Sequence, residues 1–244
     1  IVAEEMDLDI LYEDQDVILV NKPKGMVVHP AAGHYTGTLV NGLMAHCKDE
    51  LSGINGVMRP GIVHRIDMDT TGVLIVCKND FAHNSIAAQL KEHSITRKYR
   101  AIVYGVIKED EGTVDAPIGR HPVDRKKMSI NEKNGRHAVT HYRVLKRFSG
   151  FTHIECRLET GRTHQIRVHM QYLGFPLVGD YLYNPDMEYI HRQALHSWKL
   201  SFIHPITKGP MEFTAELPKD MKNILVAIDF SNATDAVIHQ IGKL

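Results

Sequence analysis

The sequence predicts an α+β protein built on a mixed, largely antiparallel sheet that helices and loops flank. First, apolar and β-branched stretches follow one another in the second half of the chain, with only short polar turns between them. Such a succession favours antiparallel pairing over the alternating βαβ pattern of parallel sheets. Second, the clearest helical spacing of apolar residues covers only residues 79–93. Third, 244 residues can bury a core without disulfides or metals, so we expect a single domain over residues 1–244.

The individual elements are predicted in the following order. Two strands at 8–12 and 17–21 are joined by the acidic turn EDQD, and a short helix at 38–47 is capped by Thr38. A β-branched run at 73–78 precedes the helix at 79–93, whose N-cap is Asn79. Further strands are expected at 98–107, 137–148, 151–160, 194–205 and 211–217. Residues 223–244 are expected to form a helix that packs on the domain.

The cysteine and apolar content excludes several classes of protein. Cys47, Cys77 and Cys156 lie far apart without a CxxC pair, so neither a zinc ribbon nor a redox dithiol is indicated. No apolar run approaches the roughly 20 residues needed to cross a bilayer, and the N-terminal residues have no signal-like core. We therefore expect a cytoplasmic protein that has no membrane partner, and we expect it to be a monomer.

The net charge of zero hides an uneven distribution of charge. Residues 1–16 contain seven Asp and Glu and no Lys or Arg, whereas residues 91–147 contain fourteen Lys and Arg against seven Asp and Glu. A charge run is most often a solvated surface, but a net-basic segment of this size also fits a polyanion-binding face. The motifs decide between these two interpretations.

The segment GIVHRIDMDTTG, residues 61–72, carries the most informative carboxylate, Asp67. A calcium loop is excluded because Lys78 stands at the twelfth position, where a bidentate Glu is required. The DMDTT stretch also resembles the nucleophile loop of haloacid-dehalogenase-type phosphatases. That loop should follow an all-apolar parallel strand, which His64 and Arg65 interrupt, and the later acidic pair is missing because Asn184 follows Asp180.

The whole segment, HRID followed by DTTGVLIV, resembles the signature of the RluA family of pseudouridine synthases, with Ile66 in place of the usual Leu. Three more stretches match that family in order: NKPKGMVVHP at 21–30, ITRKYRAIV at 95–103 and LETGRTHQIRVHM at 158–170. Four ordered blocks are a specific signal, whereas one block alone is weak. The match is closest to members that modify large-subunit ribosomal RNA.

This resemblance implies the pseudouridine synthase fold around a basic cleft and an isomerase that turns uridine into pseudouridine in RNA without a metal or an organic cofactor. Asp67 matches the catalytic aspartate of the family, and Arg167 matches the arginine that pairs with this aspartate. Tyr99 matches the tyrosine whose ring lies against the target base. Without the motif, Arg167 would be interpreted as a packing or surface arginine and Tyr99 as a core residue. His64, Thr70, Thr71 and Gly72 are expected to be scaffold residues.

The resemblance also implies how the protein holds RNA. Arg65 matches a family position that can fill the gap left by a flipped uridine, although it could also contact a phosphate or form a surface ion pair. The other cations assigned to phosphate contacts are Arg97, Lys98, Arg100, Arg120, Arg125, Lys126 and Lys127. The small N-terminal RNA-binding domain of many relatives is expected to be absent from this chain. The alternatives are a non-catalytic RNA-binding or ribosome-assembly factor on the same fold and, with less support, the phosphohydrolase.

Overall fold

The computed structural model describes residues 1–241, with side chains described through Phe230. Within this range the chain forms four helices, namely α1 (Leu39–Cys47), α2 (Asp80–Lys91), α3 (Gln165–Tyr172) and α4 (Lys219–Ile241). The strands of the same range are β1 (Ile10–Glu13), β2 (Val17–Lys22), β3 (Thr71–Cys77), β4 (Thr96–Tyr104), β5 (Glu111–Asp115), β6 (Ile118–Arg120), β7 (Met128–Ile130), β8 (Val139–Phe148), β9 (Phe151–Leu158), β10 (Leu195–Ile203) and β11 (Pro210–Thr214). Among these helices, none is both long and apolar enough to cross a membrane.

The chain divides into two compact units. Unit 1 comprises Ile1–Lys98 and Ser197–Glu216, and unit 2 comprises Tyr99–His196 and the chain from Leu217 onward. The division falls within β4 and β10, so each of these strands contributes residues to both units.

Unit 1 has the strand order β1-β2-β3-β10, and β11 pairs with β10. β2 and β3 pair antiparallel, with Val17 opposite Cys77 and Lys22 opposite Gly72. Alternate residues of these strands point to one face, where α2 packs through Ala82 and Ile86. β3 is buried along its whole length in the resulting core. This core holds the segment between α1 and β3 against β3.

Both helices of unit 1 begin where the sequence predicted. Thr38 caps α1 in a capping box with Asn41, and the Asn79 side chain accepts a hydrogen bond from the Ala82 amide at 2.9 Å. These side chains satisfy amides that have no partner within the helix. α2 ends at Lys91, two residues before the predicted end, where His93 adopts a positive φ of 58°.

Unit 2 has the strand order β4-β9-β8-β5 and a separate β6-β7 hairpin. β8 and β9 form a long antiparallel hairpin in which Phe148 pairs with Phe151. α4 packs its residues Met221, Ile224 and Ile228 into the core that contains Ile102 and Phe148. The predicted packing of the C-terminal helix is thus confirmed as far as Phe230, and the rest of that prediction lies outside the described side chains.

The α+β class and the largely antiparallel pairing are confirmed, since every strand pair with a described register is antiparallel. The sequence did not predict β5, β6 and β7. These strands have three to five residues, and β5 alternates charged, exposed positions around a single buried Val114. Such segments carry almost no apolar pattern, so only their pairing partners reveal them.

Candidate active site

Asp67 lies in a turn that directly precedes β3, in unit 1. Its carbonyl oxygen accepts a hydrogen bond from the Thr70 amide at 3.0 Å, and the residue is half-buried. The turn leads directly into β3, whose seven residues are all buried. A functional side chain on a short loop that a rigid element supports is the usual arrangement at catalytic sites.

Lys22 holds the backbone next to Asp67. Its side chain is fully buried at the end of β2, and Nζ donates hydrogen bonds to the carbonyl oxygens of Pro23, Met26 and Met68 at 2.8, 2.9 and 2.8 Å. These three acceptors match the three N–H donors of an ammonium group. Because Met68 follows Asp67 directly, the lysine ties the turn to β2. Lys22 therefore has a structural role next to Asp67.

His64 is a scaffold residue, as expected. Its Nε2 accepts a hydrogen bond from the Ile75 amide at 3.1 Å, so the ring proton resides on Nδ1. Burial, together with the nearby positive charge of Arg97, lowers the pKa of His64 to about 3. The imidazole is therefore neutral near pH 7 and acts as a hydrogen-bond acceptor that fastens the HRID segment to β3.

Gly72 ends the DTTG turn at a position where only glycine fits. Its φ is +120°, and a Cβ placed there would overlap the backbone of Ser197. The Ser197 hydroxyl donates a hydrogen bond to the Val73 carbonyl oxygen at 2.9 Å, which keeps β10 close to the start of β3. The turn that carries Asp67 is thus closed at one end by Lys22 and at the other by this contact.

Arg65 is exposed, two residues before Asp67. A second exposed arginine, Arg59, which the sequence did not single out, precedes the same segment. Both guanidinium groups act on His29, whose pKa is lowered first by burial and then by these two charges. Unit 1 therefore carries positive charge around the Asp67 segment, in keeping with a polyanionic ligand.

Tyr99 lies on β4 in unit 2 and is 6% exposed. Buried and half-buried residues alternate along the first half of this strand, so the ring points into the protein. This burial fits the core position that the sequence left open as an alternative. The stacking role of the ring stays a prediction.

Arg167 lies on α3 and is 2% exposed, which excludes a surface arginine. Its Nε and Nη2 each donate a hydrogen bond of 2.8 Å to one carboxylate oxygen of Asp180, which is itself fully buried. The guanidinium carbon also lies 5.1 Å from the ring centroid of Tyr183. The sequence missed Asp180 as a partner, because nothing in its spacing from Arg167 indicates contact. The predicted pairing of Arg167 with Asp67 stays a prediction.

A buried polar network fixes α3 and thereby Arg167. His169 bonds to the Thr140 hydroxyl at 2.8 Å and to the Ala116 carbonyl oxygen at 2.9 Å. Gln165, at the first turn of the helix, donates to Thr140 and accepts from the Thr160 hydroxyl. Because each of these buried polar groups has partners, the network holds the helix in one orientation.

The cations assigned to RNA fall into two groups. Arg120, Arg125, Lys126 and Lys127 lie together on the β6-β7 hairpin, where the first three are exposed and Lys127 is half-buried. On β4 the placement is less favourable for phosphate contacts, since Arg97 is 8% exposed, Lys98 is half-buried, and Arg100 lies 3.3 Å from the Glu155 carboxylate. The cations of β4 are less exposed than those of the hairpin because the side chains of a strand alternate between the two faces of the sheet. The basic composition alone did not reveal this difference in exposure.

One group of side chains in the described part of the chain has the spacing of a metal site: Asp14, Asp16 and His204. Its donor atoms are already engaged. Asp14 Oδ1 accepts from the Asp16 and Val17 amides, and Asp14 Oδ2 lies 2.7 Å from His204 Nε2. His204 Nδ1 accepts from two backbone amides, so Nε2 carries the proton. We interpret the cluster as a structural network of unit 1.

A family model described as RNA pseudouridylate synthase matches residues 16–172 of the chain. The matched region includes all four motif blocks, from residue 21 to residue 170.

Several curated proteins are similar over most of the chain. An uncharacterized RNA pseudouridine synthase of Bacillus subtilis is 62% identical over 226 residues, which cover 92% of this chain and 74% of that protein. The ribosomal large subunit pseudouridine synthase D of Zymomonas mobilis is 51% identical and covers 94% of this chain and 75% of its own length. The protein of the same name from Pseudomonas aeruginosa is 48% identical, with coverages of 89% and 71%.

Two solved human structures have a similar fold. Human RNA Pseudouridylate Synthase Domain Containing 1 is 27% identical with a TM-score of 0.68, over 86% of this chain and 83% of that chain. Human RNA Pseudouridylate Synthase Domain Containing 4 has a TM-score of 0.71 at 23% identity, over 90% and 92% of the two chains. The second likeness concerns the fold alone.

Proposed function

Because this chain belongs to the RNA pseudouridylate synthase family, we propose that it isomerises specific uridines to pseudouridine in large-subunit ribosomal RNA, with Asp67 as the catalytic group. The observation that carries the proposal is the family match across all four motif blocks, including the Asp67 turn. Two relatives with 51% and 48% identity bear the name ribosomal large subunit pseudouridine synthase D, which supports this RNA as the substrate.

The proposed reaction conserves every atom of the nucleotide. The bond between the ribose and the base nitrogen breaks, the uracil turns, and carbon 5 of the base bonds to the same ribose carbon while it loses its proton. The proton from carbon 5 passes to the solvent, and the base nitrogen takes up a proton from the solvent in exchange, so neither an oxidant nor a reductant is needed. An ionised carboxylate at Asp67 would assist the cleavage and then help to remove the proton from carbon 5.

The support for Asp67 in this role is positional. The turn that bears it is fastened by the buried Lys22 ammonium and closed by the contact between Gly72 and Ser197. A group that must meet one atom of a flipped nucleotide benefits from such restraint, since small misplacements reduce catalysis severely.

The same motif correspondence supports Arg167 and Tyr99 as the other catalytic residues. The bidentate contact of Arg167 with Asp180 orients a guanidinium that stays charged despite its burial. Tyr99 would stack on the uracil, a contact that is worth about 1–3 kcal/mol per base. Arg65, which is exposed, would enter the space that the flipped uridine leaves and offset part of the cost of flipping.

The test uses transcripts of large-subunit ribosomal RNA that carry tritium at carbon 5 of uracil. The protein should release tritium, and Asp67→Asn should reduce the release by several orders of magnitude while RNA binding persists. Asp69→Asn is the matched control, because it removes a carboxylate from the same turn without touching the proposed catalytic group. Activity in Asp67→Asn equal to that of the unmodified protein would refute the assignment.

Two further readouts separate the alternatives. RNA binding without any tritium release by the unmodified protein would favour a non-catalytic RNA-binding factor. Release that requires added Mg²⁺ and disappears with a chelator would refute the proposed cofactor-free reaction.

A further inference from the structure

Two arginines of unit 2, Arg136 and Arg162, lie close together without a carboxylate partner among the described residues. Arg136 is exposed and Arg162 is half-buried. Neither forms an ion pair within the part of the chain that the structure describes. Like charges that are held together in this way repel each other, so a bound anion would stabilise the arrangement.

The side chain of Arg162 is directed towards the Arg136 backbone by a hydrogen bond. Its Nε donates to the carbonyl oxygen of His137 at 2.7 Å. The backbone of Arg162 is also fixed, because its amide donates to Gln165 Oε1 at 3.0 Å and its carbonyl oxygen accepts from the Gln165 amide at 3.1 Å. Arg162 lies three residues before Gln165, the first residue of α3, and the amide groups of the first helical turn carry a partial positive charge.

The backbone of Arg136 is held equally firmly. Its amide and carbonyl groups form reciprocal hydrogen bonds with Ile118 of β6, at 2.8 and 2.9 Å. Gly135 makes this approach possible, because a Cβ there would overlap the backbone of Asn131 and Pro117. Arg136 is thus attached to the same hairpin that bears the exposed Arg120.

The electrostatics of the pair agree with its geometry. Burial, and then the charge of Arg136, lowers the pKa of Arg162. The Asp115 carboxylate lies 3.7 Å from the imidazole of His137, the residue after Arg136, and both of those side chains are exposed. Apart from Arg162 Nε, which donates to His137, the N–H donors of the two guanidinium groups are therefore open to an external ligand.

We propose that Arg136 and Arg162 together bind one phosphate group of the RNA backbone. The inference rests on RNA as the ligand of the proposed function. Guanidinium groups suit this role because their planar donors match the oxygens of a phosphate, and two of them can share a single phosphate. Neither residue was among the individual cations assigned to phosphate contacts from the sequence, since Arg162 lies outside the basic segment 91–147 and Arg136 lies within that segment but was not singled out.

The experiment measures how salt affects binding of a large-subunit ribosomal RNA transcript to the full chain. The double variant, Arg136→Gln with Arg162→Gln, should lower the magnitude of the slope of log affinity against log salt by about 0.7–0.9, the value expected for one lost phosphate contact, and each single variant should lower it by part of that amount. If one phosphate is shared, the double variant should show the loss of one contact and not of two. Arg162→Lys should restore part of the affinity, because it keeps the charge but loses the fork.

Arg157→Gln is the matched control, since Arg157 is an exposed arginine of β9 in the same unit. Its slope should equal that of the unmodified protein. An unchanged slope in the double variant would overturn the proposal, and so would a double variant that loses two full contacts. Arg136→Gln keeps the test informative if Arg162→Gln does not fold, because the Arg136 side chain is exposed.

The slopes are independent of the proposed isomerisation. Tritium release by the unmodified protein tests that activity, whereas the phosphate contact is judged from equilibrium binding alone. RNA binding with the expected slopes but without tritium release would refute the proposed function and would still support the proposed phosphate site. Equal effects of the variants on an acidic polypeptide and on RNA would overturn the assignment of the ligand.

Discussion

Removal of the Asp180 carboxylate should destabilise the protein strongly, because it takes the bidentate ion-pair partner away from a buried guanidinium group. Arg167 is 2% exposed and Asp180 is fully buried, and the carboxylate accepts two hydrogen bonds of 2.8 Å from the guanidinium. It also accepts from the amides of Leu182 and Tyr183 at 3.2 and 3.3 Å. We expect Asp180→Ala to lower the free energy of unfolding by about 3–5 kcal/mol. That is a large part of a typical total of about 5–15 kcal/mol.

The chain contains a comparison pair in which the same chemistry is less buried. Arg192 is 2% exposed, but the Asp220 side chain that accepts its hydrogen bonds is 23% exposed. Water can reach the guanidinium more readily once this carboxylate is removed. Asp220→Ala should therefore lower the free energy of unfolding by less, roughly 1.5–3 kcal/mol, which is the range for hydrogen bonds to a charged group.

Urea unfolding of Asp180→Ala and Asp220→Ala without RNA measures the loss in the free energy of unfolding for each variant. An unchanged m-value shows that the two losses can be compared. Replacing both residues, Arg167→Met with Asp180→Leu, should recover part of the stability, because both charges of the buried ion pair are then removed together. A loss in Asp180→Ala that is no greater than the loss in Asp220→Ala would refute the argument that burial sets the cost.

Three other substitutions test the support of the Asp67 turn and the network of unit 1. Gly72→Ala should lower the free energy of unfolding by more than about 2 kcal/mol, whereas Gly33→Ala, with a φ of +83° and open space, should cost about 1 kcal/mol; urea unfolding measures both. Lys22→Met leaves three carbonyl oxygens without their donor, and it should lower both stability and the rate of tritium release. Burial raises the pKa of Asp14, but hydrogen bonds outweigh it and hold the value at about 2, below the ordinary 3.8. The stabilisation by this carboxylate is therefore present above about pH 4 and is lost as the pH falls towards 2, and Asp14→Asn should flatten the stability profile in that window.

The local features of the fold were readable from the sequence because they depend on neighbouring residues. Thr38 and Asn79 cap the helices that follow them, and a β-branched run at 73–78 forms the buried strand β3. Caps and strand periodicity act over a few residues, so a linear pattern contains them. The short strands β5 to β7 have no such pattern and exist through their pairing.

For the candidate site, too, the sequence indicated some features and not others. The motif indicated Asp67, and it indicated the scaffold role of His64 that the hydrogen bond to Ile75 confirms. It did not indicate that Asp180 binds Arg167, or that Arg97 is buried on β4 while the hairpin arginines are exposed. These properties arise from which face of an element meets the core, and charge in the sequence does not reveal that face.

The sequence by itself thus determined the α+β class, the family and the identity of the carboxylate proposed to act on uridine, because each of these is carried by residue type and order. Only the tertiary structure decided which side chains hold the turn of that carboxylate in place and which basic side chains are exposed. Lys22 contacts Met68, and Arg162 reaches the backbone beside Arg136, across stretches of chain that no local pattern connects. Such long-range contacts depend on how the whole fold packs. A motif, in contrast, indicates only which residue types take part in the chemistry.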